Sequence, residues 1–595
     1  MQDAATVLRI IRERSERGQP LEHVYRFLFN PTLYLYAYGR ISQNAGAMTP
    51  GVKGETVDGM SLAKIERIID LVRREAYRWT PVRRIHIPKK RGGRRPLGIP
   101  DWGDKLLQEA IRLLLEAHFE PRFSPHSHGF RPHRGCHTAL QEVKRWTGTK
   151  WFIEGDIKGC FDNVSQDVLL SILTETIHDN RFLRLIRHML QAGYIENWVY
   201  GRTLSGTPQG GVCSPIRANV YLDKLDRFVE QELKSAYTRG AQRRHSKEYT
   251  RINNQLAWAR VTGDRVRARQ LAPTMRRLPS RIPRDPTYRR LWYVRYADDF
   301  LLGFVGPKSE AEDSKGRLGM FLREQLKLDL SHEKTLVTHA QTSTARFLNY
   351  EITVQQRDDR LTNNERRTNG RVALRLPNDV LESHIANYQV GGRPKRNMLL
   401  AQESDYTVVA HYGSALRGLY NYYSWAQNVC WLSRLKWVME NSLLHTLAFK
   451  HRTTVTRLLK RLKTQVDTPS GLRTGLEVQV TREGKAPLIA RFGGFPIVRQ
   501  EIPITRDVMP FNGPYVKRNE RIQRLLHEEC ELCDRKGPVE GHHVRKLADL
   551  KRHGRTPPPW VQLMAMRRRK TLFVCHDCHV AITHGRMNLV ASLPV

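Results

Sequence analysis

Two aspartates in the turn Tyr296-Ala297-Asp298-Asp299, and a third in Asp156-Ile157-Lys158-Gly159-Cys160-Phe161-Asp162, are suited by type and setting to metal-ion chemistry. Templated polymerisation requires two divalent ions, one activating the primer's 3′ oxygen and one stabilising the leaving pyrophosphate. Mg²⁺ takes hard oxygen ligands in octahedral geometry, which carboxylates on two adjacent strands can supply. An Asp-Asp pair can also be just a solvated acidic turn. Here it lies between the apolar runs Tyr293-Val294-Arg295-Tyr296 and Phe300-Leu301-Leu302-Gly303-Phe304, where uncompensated acids would be costly. Near the C-terminus, Cys530-Glu531-Leu532-Cys533 and Cys575-His576-Asp577-Cys578 have the spacing of a tetrahedral Zn²⁺ site built from two knuckles. His542 and His543 lie between these pairs, and His579 and His584 follow them. The histidines either support the zinc site or serve a second centre.

The elements around these residues can be read from periodicity. Trp151 to Ile157 reads as a strand, and the two runs flanking the acidic turn read as two more, so the carboxylates fall at strand ends. Residues up to about 80 read as helical, with Ile65, Ile68, Ile69 and Val72 at helix-like intervals and little chemistry to offer. A hairpin is expected over Ile85 to Pro100, around Lys89-Lys90-Arg91-Gly92-Gly93-Arg94-Arg95, and helical periodicity resumes from Leu106 to Ala117. The stretch from about 228 to 290 is rich in Arg, Gln and Asn, and reads as a basic helical insertion or a flexible solvated segment. Helical patterning with many aromatics takes over after about 375, and 451–525 is strongly basic.

The whole chain is cationic: 99 Lys and Arg against 59 Asp and Glu give a formal charge of +40 and a pI of about 10.3. A charge of that size repels itself in the compact state and points to a polyanionic partner, nucleic acid first. A membrane surface is the weaker alternative, because the excess is spread along the chain and not confined to one amphipathic helix. No window is long and apolar enough to span a bilayer, and Met1-Gln2-Asp3-Ala4 opens no signal-peptide core, so an intracellular protein without a membrane partner is expected. In a reducing compartment Cys136, Cys160, Cys213 and Cys430 are inert thiols.

Taken together, the motifs resemble those of the reverse transcriptases encoded by mobile group II introns. The blocks occur in family order: Ile87-Pro88-Lys89 with Arg95-Pro96-Leu97-Gly98-Ile99-Pro100, His128-Gly129-Phe130-Arg131-Pro132, and Gly155 to Asp162. Thr207-Pro208-Gln209-Gly210-Gly211-Val212-Cys213-Ser214-Pro215, Tyr293 to Phe300, and Leu326-Lys327-Leu328 with Glu333-Lys334-Thr335 complete the set. The resemblance implies an α+β right-hand polymerase: fingers and palm with an antiparallel sheet, an α-helical thumb (domain X), a basic DNA-binding region, and a small zinc-bound ββα-type HNH domain. The expected division is a helical extension at 1–80, fingers and palm at 81–370, thumb and maturase region at 371–465, DNA-binding region at 466–525 and nuclease at 526–595.

The same resemblance assigns Asp156, Ile157, Asp298 and Asp299 to the Mg²⁺ site. It places Phe161 under the sugar, where a ring excludes a 2′-hydroxyl, although an ordinary core phenylalanine would also fit the sequence. Gln209, Lys89, Arg95 and Lys334 become contacts of the incoming nucleotide. Ser414, Arg417-Gly418-Leu419, Asn421-Tyr422-Tyr423 and Thr446 to His451 match the maturase region. Most of its tyrosines read as core packing, whereas the exposed Lys and Arg from 450 to 465 read as phosphate contacts. Glu540-Gly541-His542-His543-Val544 resembles an HNH endonuclease, with His543 as general base and His542, His579 and His584 as candidate ligands of a divalent cation. Lys570 stands where the central Asn would fall, and His584 is one residue farther from His579 than the pattern implies.

The implied partners are the parent intron RNA, the target double-stranded DNA, and an RNA template with DNA primer and dNTPs, in a bacterial cytoplasm or an organelle. A non-catalytic splicing factor and a defence or retron-type reverse transcriptase are the competing readings. The intact carboxylates oppose the first, and the joined thumb and nuclease motifs oppose the second.

Overall fold

The computed structural model describes residues 2–595 apart from 89–91, 204–209, 283–284, 332, 357–368, 483–484, 503–518, 551–556 and 586–595, and apart from the side chains of 485, 548 and 549. Lys89 and Gln209 therefore lie outside the described residues.

Near the N-terminus, helix α1 (Pro31–Ile41) starts where the Asn30 side chain accepts the Thr32 N–H and Pro31 occupies the first turn, a position that has no N–H to satisfy. The hairpin of β1 (Val82–Pro88) and β2 (Arg94–Ile99) then forms around the expected basic turn. Helix α2 (Trp102–Phe119) is buried along nearly its whole length and packs against the N-terminal helices.

The first acidic motif lies on β3 (Trp151–Asp156) with the short helix α3 (Cys160–Asn163) after it, and helix α4 (Ser214–Phe228) follows the glycine-rich motif. The segment read as a basic insertion holds two helices, α5 (Lys247–Val261) and α6 (Arg265–Arg277). Few apolar residues are available there, and α6 buries none of its residues. Strands β4 (Arg290–Tyr296) and β5 (Asp299–Val305) follow, then β6 (Val337–His339). These strands make one antiparallel sheet in the order β6-β3-β5-β4.

Alternation along the strands divides the core between two sides of that sheet. Phe152, Val294 and Leu301 join the thumb-side cluster, while Ile153, Tyr293, Phe300 and Leu302 join the cluster with the N-terminal helices. Both faces are covered, so β5 reads as a continuous apolar run, Phe300 to Val305, with no polar positions between.

The thumb is built from α7 (Asp405–Tyr423), α8 (Leu432–Lys450) and α9 (Val455–Leu462). Tyr412, Tyr420 and Tyr423 are buried, as core packing requires, and Tyr412 hydrogen-bonds Ser442 across the helices at 2.8 Å. The basic region after the thumb begins as an antiparallel sheet of β7 (Lys463–Val466), β8 (Arg473–Arg482) and β9 (Lys485–Gly493). Its apolar residues Leu476, Ala490 and Phe492 belong to the thumb core.

Beyond it, α10 (Glu520–Leu526), β10 (Glu540–His543), β11 (Thr571–Val574) and α11 (His576–Thr583) make the C-terminal unit, β10 and β11 pairing antiparallel before the helix. The α+β arrangement of palm sheet, helical thumb and ββα nuclease unit is therefore present. The C-terminal unit is no loose appendage: Ile522, Leu525, Val539 and Phe573 lie in the same core as the N-terminal helices. No helix among the described residues is long and apolar enough to cross a membrane.

Candidate functional site

Strand register brings the three aspartates together. Asp156 is the cross-strand partner of Asp299, and Tyr296 pairs Asp299 from the other side, so Ala297 and Asp298 form the turn between β4 and β5. Gly155 is required beside them, because a Cβ there would lie 2.0 Å from the Phe300 ring that crosses it. Burial, then the charges of Asp298 and Asp156, raise the Asp299 carboxyl to about 7. Burial also raises Asp298, with Asp156 adding to it. The acids raise one another more than Lys334 and Arg95 lower them, and a carboxylate group left short of positive charge fits a site for divalent cations. Ile157 is 1% exposed and bridges Leu330, so only its backbone carbonyl can serve as a ligand.

The turn is held by Asp226, which lies outside every motif, and by motif residues to which no role was assigned. Arg295 is fully buried and bidentate to Asp226 on α4, through Nε at 2.7 Å and Nη2 at 2.6 Å. Its Nη1 donates to the Ala297 carbonyl at 2.8 Å, and Ala297 has a left-handed backbone with φ of 57°. Asp226 also accepts from Tyr293 Oη at 2.7 Å. Burying a guanidinium is costly unless it is paired, and here the pair anchors the acidic turn. Gly129 packs on the turn from outside; a Cβ there would come within 2.3 Å of the Ala297 nitrogen. Asp226 carries no sequence signal, since it sits among ordinary helical residues and its partner is 69 positions away.

Of the candidate nucleotide contacts, Lys334 Nζ donates to Asp156 Oδ2 at 2.8 Å, so its ammonium occupies the carboxylate site itself. Arg95 lies on exposed β2, close enough for its charge to lower Asp298. Phe161 is half-buried in α3 next to Cys160, whose thiol is pushed up to about 12 by burial and then by Asp298. Gly210 has φ of +102° and a Cβ there would strike Leu97 and the Gly98 carbonyl at 2.7 Å. The Gly210-Gly211 and Leu97-Gly98 motifs are thus in contact, which places the fingers hairpin beside the start of α4. In the thumb, Lys450 is bound to Asp405 at 2.7 Å and to the Glu403 carbonyl at 2.6 Å, so it is not the open phosphate contact expected. Arg457 and Lys460 on α9 remain exposed.

In the C-terminal unit one ligand atom from each of Cys530, Cys533, Cys575 and Cys578 lies within 4.8 Å of the others. Cys533 Sγ and Cys575 Sγ are 3.7 Å apart, the edge of a tetrahedron with Zn–S bonds of about 2.3 Å. The histidines make a separate centre. His542 and His579 approach each other with ring centroids 5.5 Å apart, and Glu540 Oε2 holds His579 Nδ1 at 2.7 Å. Asp58, from the segment expected to offer little chemistry, joins them. His584 does not: it is exposed at the C-cap of α11 and outside this group.

Adjacent strand positions face opposite ways, and His543 points instead toward α1, where Tyr38 Oη is 3.4 Å from its Nε2. Its Nδ1 faces the Gly541 carbonyl at 3.0 Å. That carbonyl and Tyr38 orient the ring where Lys570 replaces the expected Asn. Burial lowers His543 to about 4, which keeps it neutral near neutral pH. It lines a cavity of about 970 Å³ whose wall includes Arg521, Arg524, Arg545, Arg568 and Arg569.

Known families match this chain in three places. A reverse transcriptase (RNA-dependent DNA polymerase) family matches residues 87–249, a type II intron maturase family 379–483, and an AI2M/AI1M-like HNH endonuclease family 530–579. The maturase match runs past the thumb into β8. The chain is 36% identical to the group II intron-encoded protein LtrA of Lactococcus lactis subsp. cremoris, over 98% of this chain and 100% of that one. It is 31% identical to a putative COX1/OXI3 intron 1 protein of Saccharomyces cerevisiae, over 93% of this chain and 68% of that one. A telomerase structure from Candida albicans aligns with a TM-score of 0.32 at 12% identity, covering 65% of this chain and 62% of that one.

Proposed function

Since the chain belongs to the group II intron-encoded proteins, with reverse transcriptase, maturase and HNH endonuclease parts in one polypeptide, we propose specific residues and partners for each activity. Asp156, Asp298, Asp299 and the Ile157 carbonyl hold the polymerase Mg²⁺ ions; Cys530, Cys533, Cys575 and Cys578 hold a structural Zn²⁺; His542 and His579 hold the divalent cation of the nuclease. When bound, the two Mg²⁺ ions activate the primer 3′ oxygen and neutralise the leaving pyrophosphate. The protein's own contribution is positional: β3 and β5 fix the carboxylates, and the Arg295–Asp226 pair keeps the turn from relaxing.

Arg95, with Lys89 and Gln209 from the same motifs, meets the incoming dNTP, and Phe161 excludes ribonucleotides. Lys334, bonded to Asp156 at 2.8 Å, would hold that carboxylate in place while the site is free of cations and would be available to a nucleotide phosphate once they are bound. His543 is the general base of the nuclease: it is neutral, its ring is held by Tyr38 and the Gly541 carbonyl, and it lines the arginine-rich cavity where a phosphodiester can enter. The parent intron RNA lies along the thumb and the β7–β9 sheet, whose exposed cations match its phosphates. The intron inserts by reverse splicing into one strand of the target DNA, the nuclease nicks the other, and the released 3′ hydroxyl primes cDNA synthesis. The site of action is a bacterial cytoplasm or an organelle.

The observation that carries this reading is the pairing of Asp156 with Asp299 beside the Asp298 turn. Asp298→Ala should abolish extension of a DNA primer annealed to an RNA template while leaving affinity for the parent intron RNA within about twofold. Extension at the parent rate would refute the assignment.

A further inference from the structure

The metal face of the nuclease contains a carboxylate from outside the nuclease. Asp58 lies in the loop before the Leu62–Arg73 helix, 485 positions from His543. Its Oδ1 is 3.5 Å from His542 Nδ1, and its Oδ2 is 3.4 Å from His579 Nε2. Both separations exceed good hydrogen-bond lengths of about 2.7–3.2 Å. They match the ligand–ligand edges of a coordination shell with bonds of about 2.1 Å.

The nitrogens behave accordingly. His542 is 9% exposed, yet neither of its ring nitrogens has a hydrogen-bond partner, and His579 Nε2 also lacks one. Leaving such groups buried and unsatisfied is costly, unless an ion takes their lone pairs. Glu540 accepts from His579 Nδ1 at 2.7 Å, which leaves Nε2 as the free lone pair on the Asp58 side.

Asp58 is also held there by backbone. The His543 N–H donates to Asp58 Oδ1 at 2.8 Å. The next two residues pair with β10: the Gly59 N–H donates to the Gly541 carbonyl at 3.0 Å, and the Gly541 N–H donates to the Met60 carbonyl at 2.8 Å. The N-terminal segment thus makes one antiparallel bridge, Met60 with Gly541, at the edge of the nuclease hairpin and delivers its aspartate onto the histidines.

We propose that Asp58 is the third protein ligand of the nuclease's divalent cation, so that this metal site is assembled jointly by the polymerase's N-terminal segment and the nuclease domain. The proposal rests on the assignment of His542 and His579 as ligands. Asp58 fills the place that His584, exposed at the C-cap of α11, does not take. Three protein ligands leave positions open for a phosphate oxygen and water. The nuclease can then hold its ion only while docked on the polymerase, which confines nicking to a complex ready to extend the new 3′ end.

The test is Co²⁺ titration of the full-length, zinc-loaded protein, followed by d–d absorption, in an Asp298→Ala background that disables the polymerase metal site. Asp58→Asn keeps an oxygen to accept the His543 N–H and should leave the thermal midpoint unchanged, while weakening Co²⁺ binding by about tenfold or more. His579→Ala should remove the signal. Unchanged or tighter binding in Asp58→Asn, with the signal lost in His579→Ala, would overturn the proposal and make Asp58 a docking contact or a plug. A signal that survives His579→Ala would instead overturn the underlying histidine assignment.

Discussion

Asp299 cannot ionise cheaply in the free protein. Burial and the charges of Asp298 and Asp156 lift its carboxyl from 3.8 to about 7, so the folded chain favours its protonated form. Ionisation then costs stability that accrues as pH rises from the ordinary carboxylate range to about 7 and is fully present above it. Divalent cations remove that cost, because they replace the proton with a stronger partner. The rise in Tm produced by saturating Mg²⁺ should therefore be larger at about pH 8 than at about pH 6, with proton uptake or release measurable by calorimetry in two buffers. An equal rise at both pH values would mean that Asp299 titrates normally and is not part of the cation site.

At the scale of elements, what the sequence made legible was whatever depends on neighbours in the chain. The apolar runs on either side of the acidic turn identified β4 and β5, and the Cys-x-x-Cys spacing identified the four-cysteine cluster. Contacts between distant segments left no such trace. Asp58 sits between Val57 and Gly59 in a stretch with no periodicity, and Asp226 looks like any helical acid until Arg295 is brought to it. The β7–β9 sheet was likewise hidden, since its strands carry several exposed cations and pack few residues inward, chiefly Leu476, Val478, Ala490 and Phe492. Gly413 marks where that sheet meets α7: a Cβ there would lie 2.1 Å from the Arg491 carbonyl. Helix propensity alone predicts that Gly413→Ala stabilises by about 1 kcal/mol. The contact predicts the opposite, a lower apparent Tm together with weaker binding of intron RNA, because backbone on the sheet side cannot yield as a flexible side chain could. A higher Tm would show that the sheet does not rest on the thumb at this point.

For the whole molecule, the polymerase and nuclease share one core: Phe573 of β11 and Ile522 of α10 pack among the residues that also bury Tyr38 and Trp102. Such a shared core makes their relative placement a property of the folded chain, and with it the path from nick to primer terminus. The +40 charge favours a nucleic-acid partner, while the proposed acid and histidine centres sit at fixed points within the same fold. The most direct test follows the fate of the nicked strand in one reaction containing target DNA duplex, dNTPs and the protein assembled with its intron RNA. The parent should yield a second-strand nick with cDNA joined to its 3′ end; Asp298→Ala should yield the nick alone. His579→Ala should yield neither, and a duplex supplied already nicked should restore cDNA to His579→Ala but not to Asp298→Ala. cDNA joined to the nicked strand by Asp298→Ala, or no rescue of His579→Ala by the nicked duplex, would contradict the account.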